Sequence, residues 1–266
     1  MTPNPSLLAL AQRFGNDTLP QSQIDKTEKG NVETRLVVAL GREIWCIGKR
    51  AKYKVATRGM DVRALCVHED RLFDGGYYNS TYDTLAGRRV ATRFYNILTL
   101  CSHKGTLYDG GGEGFIYNTL DGDPIEERMG VVDALCSHQG CLYDASDNTI
   151  RDTLAGKVIA TRANFVSALC SHQGKLYDAG NYAPLFETIA DKEAAVTPKW
   201  EEFLDGLCSH HGRLYGYDRS PTIYDVLTGE AAWEFKKPVM AMASVPLPLW
   251  EKLARKGKKS RARKRL

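Results

Sequence analysis

The phrase Ala-Leu-Cys-x-His, or a near variant, begins at Ala64, Thr99, Ala134, Ala168 and Gly206, at steps of 35, 35, 34 and 38 residues. A period of that length leaves few architectures open, because each copy must be one supersecondary unit that buries its apolar face only against its neighbours. A Leu-aromatic pair follows each phrase: Leu72-Phe73, Leu107-Tyr108, Leu142-Tyr143, Leu176-Tyr177 and Leu214-Tyr215. Next comes a segment of the type Asp-Thr-Leu-Ala-Gly, at Asp83–Gly87, Asn118–Gly122, Asp152–Gly156, Glu187–Asp191 and Asp225–Gly229. Val90–Arg93 and Ile159–Arg162, Val/Ile-Ala-Thr-Arg, close two of the units.

Each unit thus holds four short β-branched or aromatic runs set apart by Gly, Asn and Asp, the pattern of strands and tight turns. Lys104-Gly105, Gln139-Gly140, Gln173-Gly174 and His211-Gly212 join the first two runs. A two-residue loop with glycine second suits a type I′ hairpin, which needs positive φ there. The first unit has Glu69-Asp70 instead, a less comfortable version of the same turn. A two-residue loop also sets the register, pairing position 103 with 106 and Cys101 with Tyr108, and placing Cys66 opposite Phe73.

The ends carry the strongest fold signal. Val239–Val245 matches Val166–His172 as a lone first strand, and its missing partners stand near the other end, at Arg35–Leu40, Glu43–Ile47 and Tyr53–Arg58. Val55-Ala56-Thr57-Arg58 repeats Val90-Ala91-Thr92-Arg93 at a step of 35. One repeat divided across the two ends predicts a closed ring, which leaves few open strand edges. The expected fold is therefore all-β, a six-bladed β-propeller over residues 35–247 whose last blade is closed by N- and C-terminal strands. From about Arg35 to Val245 the pattern resembles the β-propeller superfamily, in the loose sense shared by WD40, YVTN and quinoprotein-type repeats. It departs from WD40 itself: no unit has Trp-Asp at its third strand, none opens with Gly-His, and the repeat is shorter. The resemblance implies an architecture and no particular chemistry, since propellers host many functions.

Residues 1–34 and 248–266 flank the ring. Leu7, Leu10, Ala11 and Phe14 share one face of a helix expected over Ser6–Phe14, followed by a polar linker. One or two helical turns are expected over Leu249–Lys256 and no structure in the final ten residues. From Glu251 onward there are nine Lys/Arg and one Glu, so a mildly acidic body carries a basic tail: Lys252, Arg255, Lys256, Lys258, Lys259, Arg261, Arg263, Lys264 and Arg265. The start of the chain has no basic n-region, and its apolar stretch is too short for a signal sequence, so a cytoplasmic location is expected. No run is long enough to span a membrane, and the expected state is a monomer. Seven cysteines without a secretory signal predict free thiols.

Cys-x-His recurs in five units, at Cys66/His68, Cys101/His103, Cys136/His138, Cys170/His172 and Cys208/His210, with both side chains on one strand face. A zinc site needs its donor atoms within about 2.3 Å of one point, and equivalent positions around a ring do not converge so tightly. The pattern is read as a packing signature, with no metal and no cofactor expected. Each histidine is out of phase with the aspartate of its own second strand, as His103 is with Asp109, so such a partner must come from elsewhere; Asp74, Asp109, Asp144 and Asp178 are expected to be structural acceptors.

Function is sought where the copies differ, on the face formed by the loops between second and third strands and between successive blades. Asp61, Tyr77, Tyr78, Tyr95, Asn96, Asn164, Phe165, Tyr182, Glu201 and Tyr217 are the candidate binding residues there, because aromatics interleaved with Asn and acids suit recognition. Gly110–Gly114 is no phosphate loop, lacking a following Lys-Ser/Thr and a helix, and no catalytic motif is present. The leading expectation is a non-enzymatic scaffold for a protein or peptide partner, its basic tail an anionic anchor. Two alternatives stay open. One is a hydrolase or lyase at the channel mouth using Asp61, Asn96, Asn164, Glu201 and a histidine. The other is nucleic-acid association through the tail.

Overall fold

The computed structural model describes residues 34–48, 51–181, 184–194 and 203–263, with side chains through Gly257. The described residues begin with β1 (Thr34–Leu40), β2 (Glu43–Ile47) and β3 (Lys52–Thr57). Blade 1 is β4 (Val62–His68), β5 (Arg71–Gly76), β6 (Ser80–Asp83) and β7 (Arg88–Thr92). Blade 2 is β8 (Ile97–His103), β9 (Thr106–Gly111), β10 (Phe115–Asn118) and β11 (Pro124–Glu127). Blade 3 is β12 (Val132–His138), β13 (Cys141–Ser146), β14 (Thr149–Asp152) and β15 (Lys157–Thr161). Blade 4 is β16 (Val166–His172), β17 (Lys175–Gly180), β18 (Phe186–Glu187) and β19 (Lys192–Glu193). Blade 5 is β20 (Gly206–His210), β21 (Arg213–Tyr217), β22 (Thr222–Asp225) and β23 (Ala231–Glu234). Among the described residues the last strand, β24 (Val239–Pro246), precedes a single helix, α1 (Leu247–Arg263).

Each blade is a four-stranded antiparallel sheet, and the sixth is ordered β24-β1-β2-β3. β24 pairs with β1 in the register Val37↔Ala243 and Val38↔Met242, so a strand from each end of the repeat array closes the ring. The six first strands neighbour one another in turn, β4, β8, β12, β16, β20, β24 and back to β4, and so line the central channel. The structure is thus the six-bladed propeller expected from the repeat.

The first hairpins are type I′ in character. Lys104, Gln139, Gln173 and His211 have φ between +46° and +51°, and the glycine after each lies between +70° and +78°. In blade 1, Glu69 and Asp70 are both held at positive φ, +44° and +55°, where an L side chain is strained. The register is the one the loop length dictates: Cys101↔Tyr108, His103↔Thr106 and Cys66↔Phe73.

The core is divided into clusters that each straddle a blade-to-blade seam. Ile97 and Leu107 from blade 2 meet Ala64 and Phe73 from blade 1, and Val166, Leu169 and Leu176 from blade 4 meet Ala145 and Ile150 from blade 3. The second-strand leucines Leu72, Leu107, Leu142, Leu176 and Leu214 are almost wholly buried, and truncating one to Ala should cost about 2–5 kcal/mol.

α1 is longer than the one or two turns expected, and it occupies most of the stretch expected to lack structure. Composition alone reads a Lys/Arg run as unfolded, but here Leu249, Leu253 and Ala254 are buried against the closing blade. Trp250 packs edge-on against Tyr53 with ring centroids 6.3 Å apart. Gly257 lies so close to β3 that a Cβ would stand 2.6 Å from the Lys54 carbonyl oxygen. Lys256 does not point to solvent: its Nζ donates to the Thr84 and Leu85 carbonyls of blade 1 at 2.8 and 2.7 Å. The helix expected over Ser6–Phe14, the linker after it and the tail residues Lys264 and Arg265 lie outside the described residues.

Candidate functional site

The repeated polar residues belong to the seams. Each strand-end histidine shares a hydrogen bond with a serine of the next blade: His68 with Ser102 at 3.0 Å, His103 with Ser137 at 2.8 Å, and His138 with Ser171 at 2.9 Å. His172 with Ser209 and His210 with Ser244 complete the series, both at 2.9 Å. Burial lowers the pKa of all five histidines, His210 to about 4, so they stand neutral in the fold. At the sixth seam the two positions are Val245 and Val67, in one apolar cluster. The five cysteines of the repeat each donate to the following residue's carbonyl, at 3.4–3.7 Å. Burial pushes the thiols of Cys66, Cys136 and Cys208 up to about 12, which keeps them protonated and poor as nucleophiles or ligands. All seven cysteines are free.

A second latch uses the residue that ends the fourth strand. Arg58, Arg93, Arg128 and Arg162 each grip an aspartate of the next blade with two hydrogen bonds, on Asp74, Asp109, Asp144 and Asp178, at 2.6–2.9 Å. Thr84 and Thr188 donate to the same carboxylates, and Arg58, Arg93 and Arg162 lie over Tyr82, Tyr117 and Phe186 at 4.2–4.5 Å. The aspartates are structural acceptors, as expected.

The positions that vary from blade to blade converge elsewhere, at the mouth of the channel. The residue before each Ala-Leu-Cys-x-His phrase is Arg63, Leu98, Asp133, Ser167 and Asp205, and Met240 in β24. The pairing ladder skips this position in five blades, between Val62/Ala64, Ile97/Thr99, Val132/Ala134 and Val166/Ala168 and at Met240. A bulge of this kind frees a residue from the ladder and re-aims its side chain, so these residues form a non-repeating collar at the top of the channel. One step inward, Leu65, Leu100, Leu169, Leu207 and Met242 make an apolar lining.

Above the collar lies a recess of about 210 Å³ lined by Arg63, Leu98, Asp133, Phe165, Ser167, Asn181, Phe203, Asp205 and Arg219. Asp205 is buried; it accepts from Arg219 Nε at 2.8 Å and has Arg63 Nη2 at 3.7 Å. Arg219 also lies over Phe203 at 4.5 Å. Asp133 makes no hydrogen bond among the described residues. Burial first, then Asp147 and Asp205, push its carboxyl up to about 6, against the pull of Arg63. Asn181 Oδ1 and Arg63 Nε are buried polar atoms without a partner among the described residues. Unsatisfied buried groups of this kind are uncommon and mark a place where a ligand or water would be taken up.

The candidate residues read from the sequence scatter around this recess. Phe165 lines it and is half exposed. Tyr77 lies under the Arg63 guanidinium at 5.6 Å. Tyr217 is buried in the channel wall, its hydroxyl donating to the Met240 carbonyl at 3.0 Å. Tyr78 is structural, donating to Asp74 at 2.7 Å. Asp61 and Asn96 accept through their carbonyls from Tyr77 and Gly112 of the adjoining loops. Tyr95 and Asn164 are exposed on the loop face, while Tyr182 and Glu201 lie outside the described residues. Arg63, Asp133 and Asp205 were missed by sequence reasoning; the repeat marks them only as a column in which no two neighbouring blades share a residue, and its place at the channel came with the structure.

No protein-family model and no curated protein matches the chain. Among solved structures, a chain in the crystal structure of a nidogen/laminin complex matches with a TM-score of 0.65 at 11% identity, covering 80% of this chain and 98% of that one. The WD40 β-propeller domain of Doa1 matches with a TM-score of 0.57 at 14% identity, covering 79% of this chain and 86% of that domain. With its six closed blades, the chain shares the β-propeller fold that the Doa1 domain is named for, and at such identities it is the fold alone that is shared.

Proposed function

We propose that this chain is a binding scaffold that presents its inter-blade loop face to a protein or peptide partner. The observation that carries the reading is an apolar set on that face. Met60, Phe94, Tyr95, Met129 and Phe165 are all exposed, Phe94 at 89% and Met129 fully. They stand in four consecutive inter-blade loops, each just beyond a latching arginine. Because the latch fixes the loop root, these side chains are held out on a rigid frame, which lowers the ordering cost of binding. Aromatic and methionine side chains around a polar centre are the composition of an interaction surface. In α1, Lys252 and Arg255 add positive charge beside the ring and support a secondary anionic contact. The channel-mouth enzyme reading draws less support, since the strand histidines lie at the far ends of the first strands, about 17 Å from the mouth, and are engaged in seams.

The test is selection of a random peptide library on the protein, followed by binding to the Phe94→Ser/Met129→Ser variant. Enriched peptides should lose roughly tenfold or more in affinity on the variant, since centrally buried apolar contacts carry most interface energy. No enrichment, or peptides indifferent to the two substitutions, overturns the reading.

A further inference from the structure

The recess at the channel mouth holds two arginines and two aspartates, and both arginines are turned to the same aspartate. Both of its arginines face Asp205: Arg219 Nε donates to one carboxylate oxygen at 2.8 Å, and Arg63 Nη2 stands 3.7 Å from the other. Asp133, on the bulge of the blade between, is left without a hydrogen-bonded partner among the described residues. Asn181 lines the same space and carries a buried carbonyl oxygen without a partner among the described residues. Phe165 and Phe203 give it two aromatic walls. Against one unpaired donor, Arg63 Nε, stand the Asp133 carboxylate and the amide oxygen as acceptors, beside rings whose faces attract cations. An anion placed here would meet Asp133 and Asp205 with both arginines already drawn to Asp205.

We propose that the recess takes a single cationic side chain, a lysine ammonium or arginine guanidinium of the partner, with Asp133 as its counter-ion and Asn181 Oδ1 as a second acceptor. The volume of about 210 Å³ admits one such side chain and excludes a larger element. Entering from the mouth, the side chain brings its charged tip to Asp133 and leaves its methylene stem beside the Phe165 and Phe203 rings. The inference deepens the binding-scaffold reading and rests on it: the exposed Met60, Phe94 and Met129 would hold the partner's backbone region while one basic residue plugs the mouth.

Proton linkage gives the proposal a signature that a structural role for Asp133 lacks. The groups facing Asp133 are Arg63, Asp147 and Asp205, with Arg219 acting through Asp205, and together with burial they hold its carboxyl near 6. A bound cation favours the ionised form, so binding near pH 6 must release a fraction of a proton and binding near pH 8 almost none.

The experiment is calorimetric titration of the full chain with the N-acetyl methylamides of lysine, arginine, norleucine and glutamate, up to tens of millimolar, in buffers of differing ionisation enthalpy. Lysine or arginine should bind and release protons near pH 6. Norleucine and glutamate should bind at least about tenfold more weakly. Asp133→Asn, which keeps the shape, should lose the preference and the proton release, and thermal melting of that variant establishes that it is folded. Binding of glutamate as tight as lysine, unchanged lysine binding in Asp133→Asn, or no binding of either cation overturns the proposal. These probes need no partner, so their failure alongside peptides that still require Phe94 and Met129 would remove the cationic plug and leave the loop-face reading standing.

Discussion

The seam between blades 3 and 4 and the seam between blade 5 and the closing blade use the same three positions with opposite chemistry. In the first, Arg162 of blade 3 grips Asp178 with two hydrogen bonds of 2.8 Å, and Thr188 donates to the same carboxylate. In the second, the corresponding residues are Phe235, Val38 and Ile47, all buried in one apolar cluster. Between blades 4 and 5 the aspartate position is Gly216 and the threonine position Val226, whose methyl would stand 2.6 Å from a Cβ on that glycine. The His–Ser latch behaves alike: it is present in full at five seams and becomes Val245 with Val67 at the sixth. The sets change together because a half-kept latch is the worst outcome. A buried arginine without its acid, or a buried acid without its arginine, costs far more than an apolar pair of similar shape. The chain has performed its own multiple-mutant experiment within one ring.

The comparison can be broken most severely with acid. The five histidines bind protons less readily in the fold than in the unfolded chain, for which 6.5 is the ordinary value. Their contribution to stability is therefore complete above about pH 6.5 and is lost as pH falls through the lowered values, which reach about 4 for His210. Calorimetry should show the melting temperature dropping over that window. Hydrogen exchange should show the five His–Ser seams loosening before the Val245–Val67 seam. Uniform loosening would contradict the assignment.

Removing one ion comes next. Asp178→Ala leaves the buried Arg162 guanidinium only the exposed Asp191 as an acid and should cost about 3 kcal/mol in urea denaturation, whereas Arg162→Met with Asp178→Leu should recover much of it. A smaller effect is expected at the neutral latch. His172→Val alone leaves the Ser209 hydroxyl unpaired and should cost about 1–3 kcal/mol, while His172→Val with Ser209→Val, copying the sixth seam, should be close to neutral. Additive losses in either double variant, measured as a thermodynamic cycle, would mean that the paired replacements are unrelated. The smallest change sits at the tail: Gly257→Ala should loosen α1 from β3 by about 1–2 kcal/mol, seen as faster exchange in Leu249–Ala254 with the blades unaffected.

Repetition made the blades readable. Five near-copies of one phrase fixed the strand count, the hairpin register and the mismatch of His103 with Asp109 of its own hairpin; that its partner is Ser137 of the next blade came only with the structure. The same repetition drew the eye from Arg63, Asp133 and Asp205, one residue ahead of the conspicuous Cys-x-His. Whether that position faces the channel depends on a bulge, and a bulge leaves no mark in a hydrophobic alternation. α1 was legible only over Leu249–Lys256, because its continuation past Gly257, which lies against β3, does not follow from the helix's own composition.

The stitched sheet of β24 with β1 also sets a timetable. During synthesis Thr34–Leu40 emerges first, and its partner Val239–Pro246 follows only about two hundred residues later, so the earliest strand must wait with one edge unsatisfied while five blades assemble. Contacts so distant along the chain slow the final step. The ribosome-bound intermediate is an open arc whose free margin can capture a strand from another nascent chain. A cell making this protein would have reason to shield that margin until the last strand arrives.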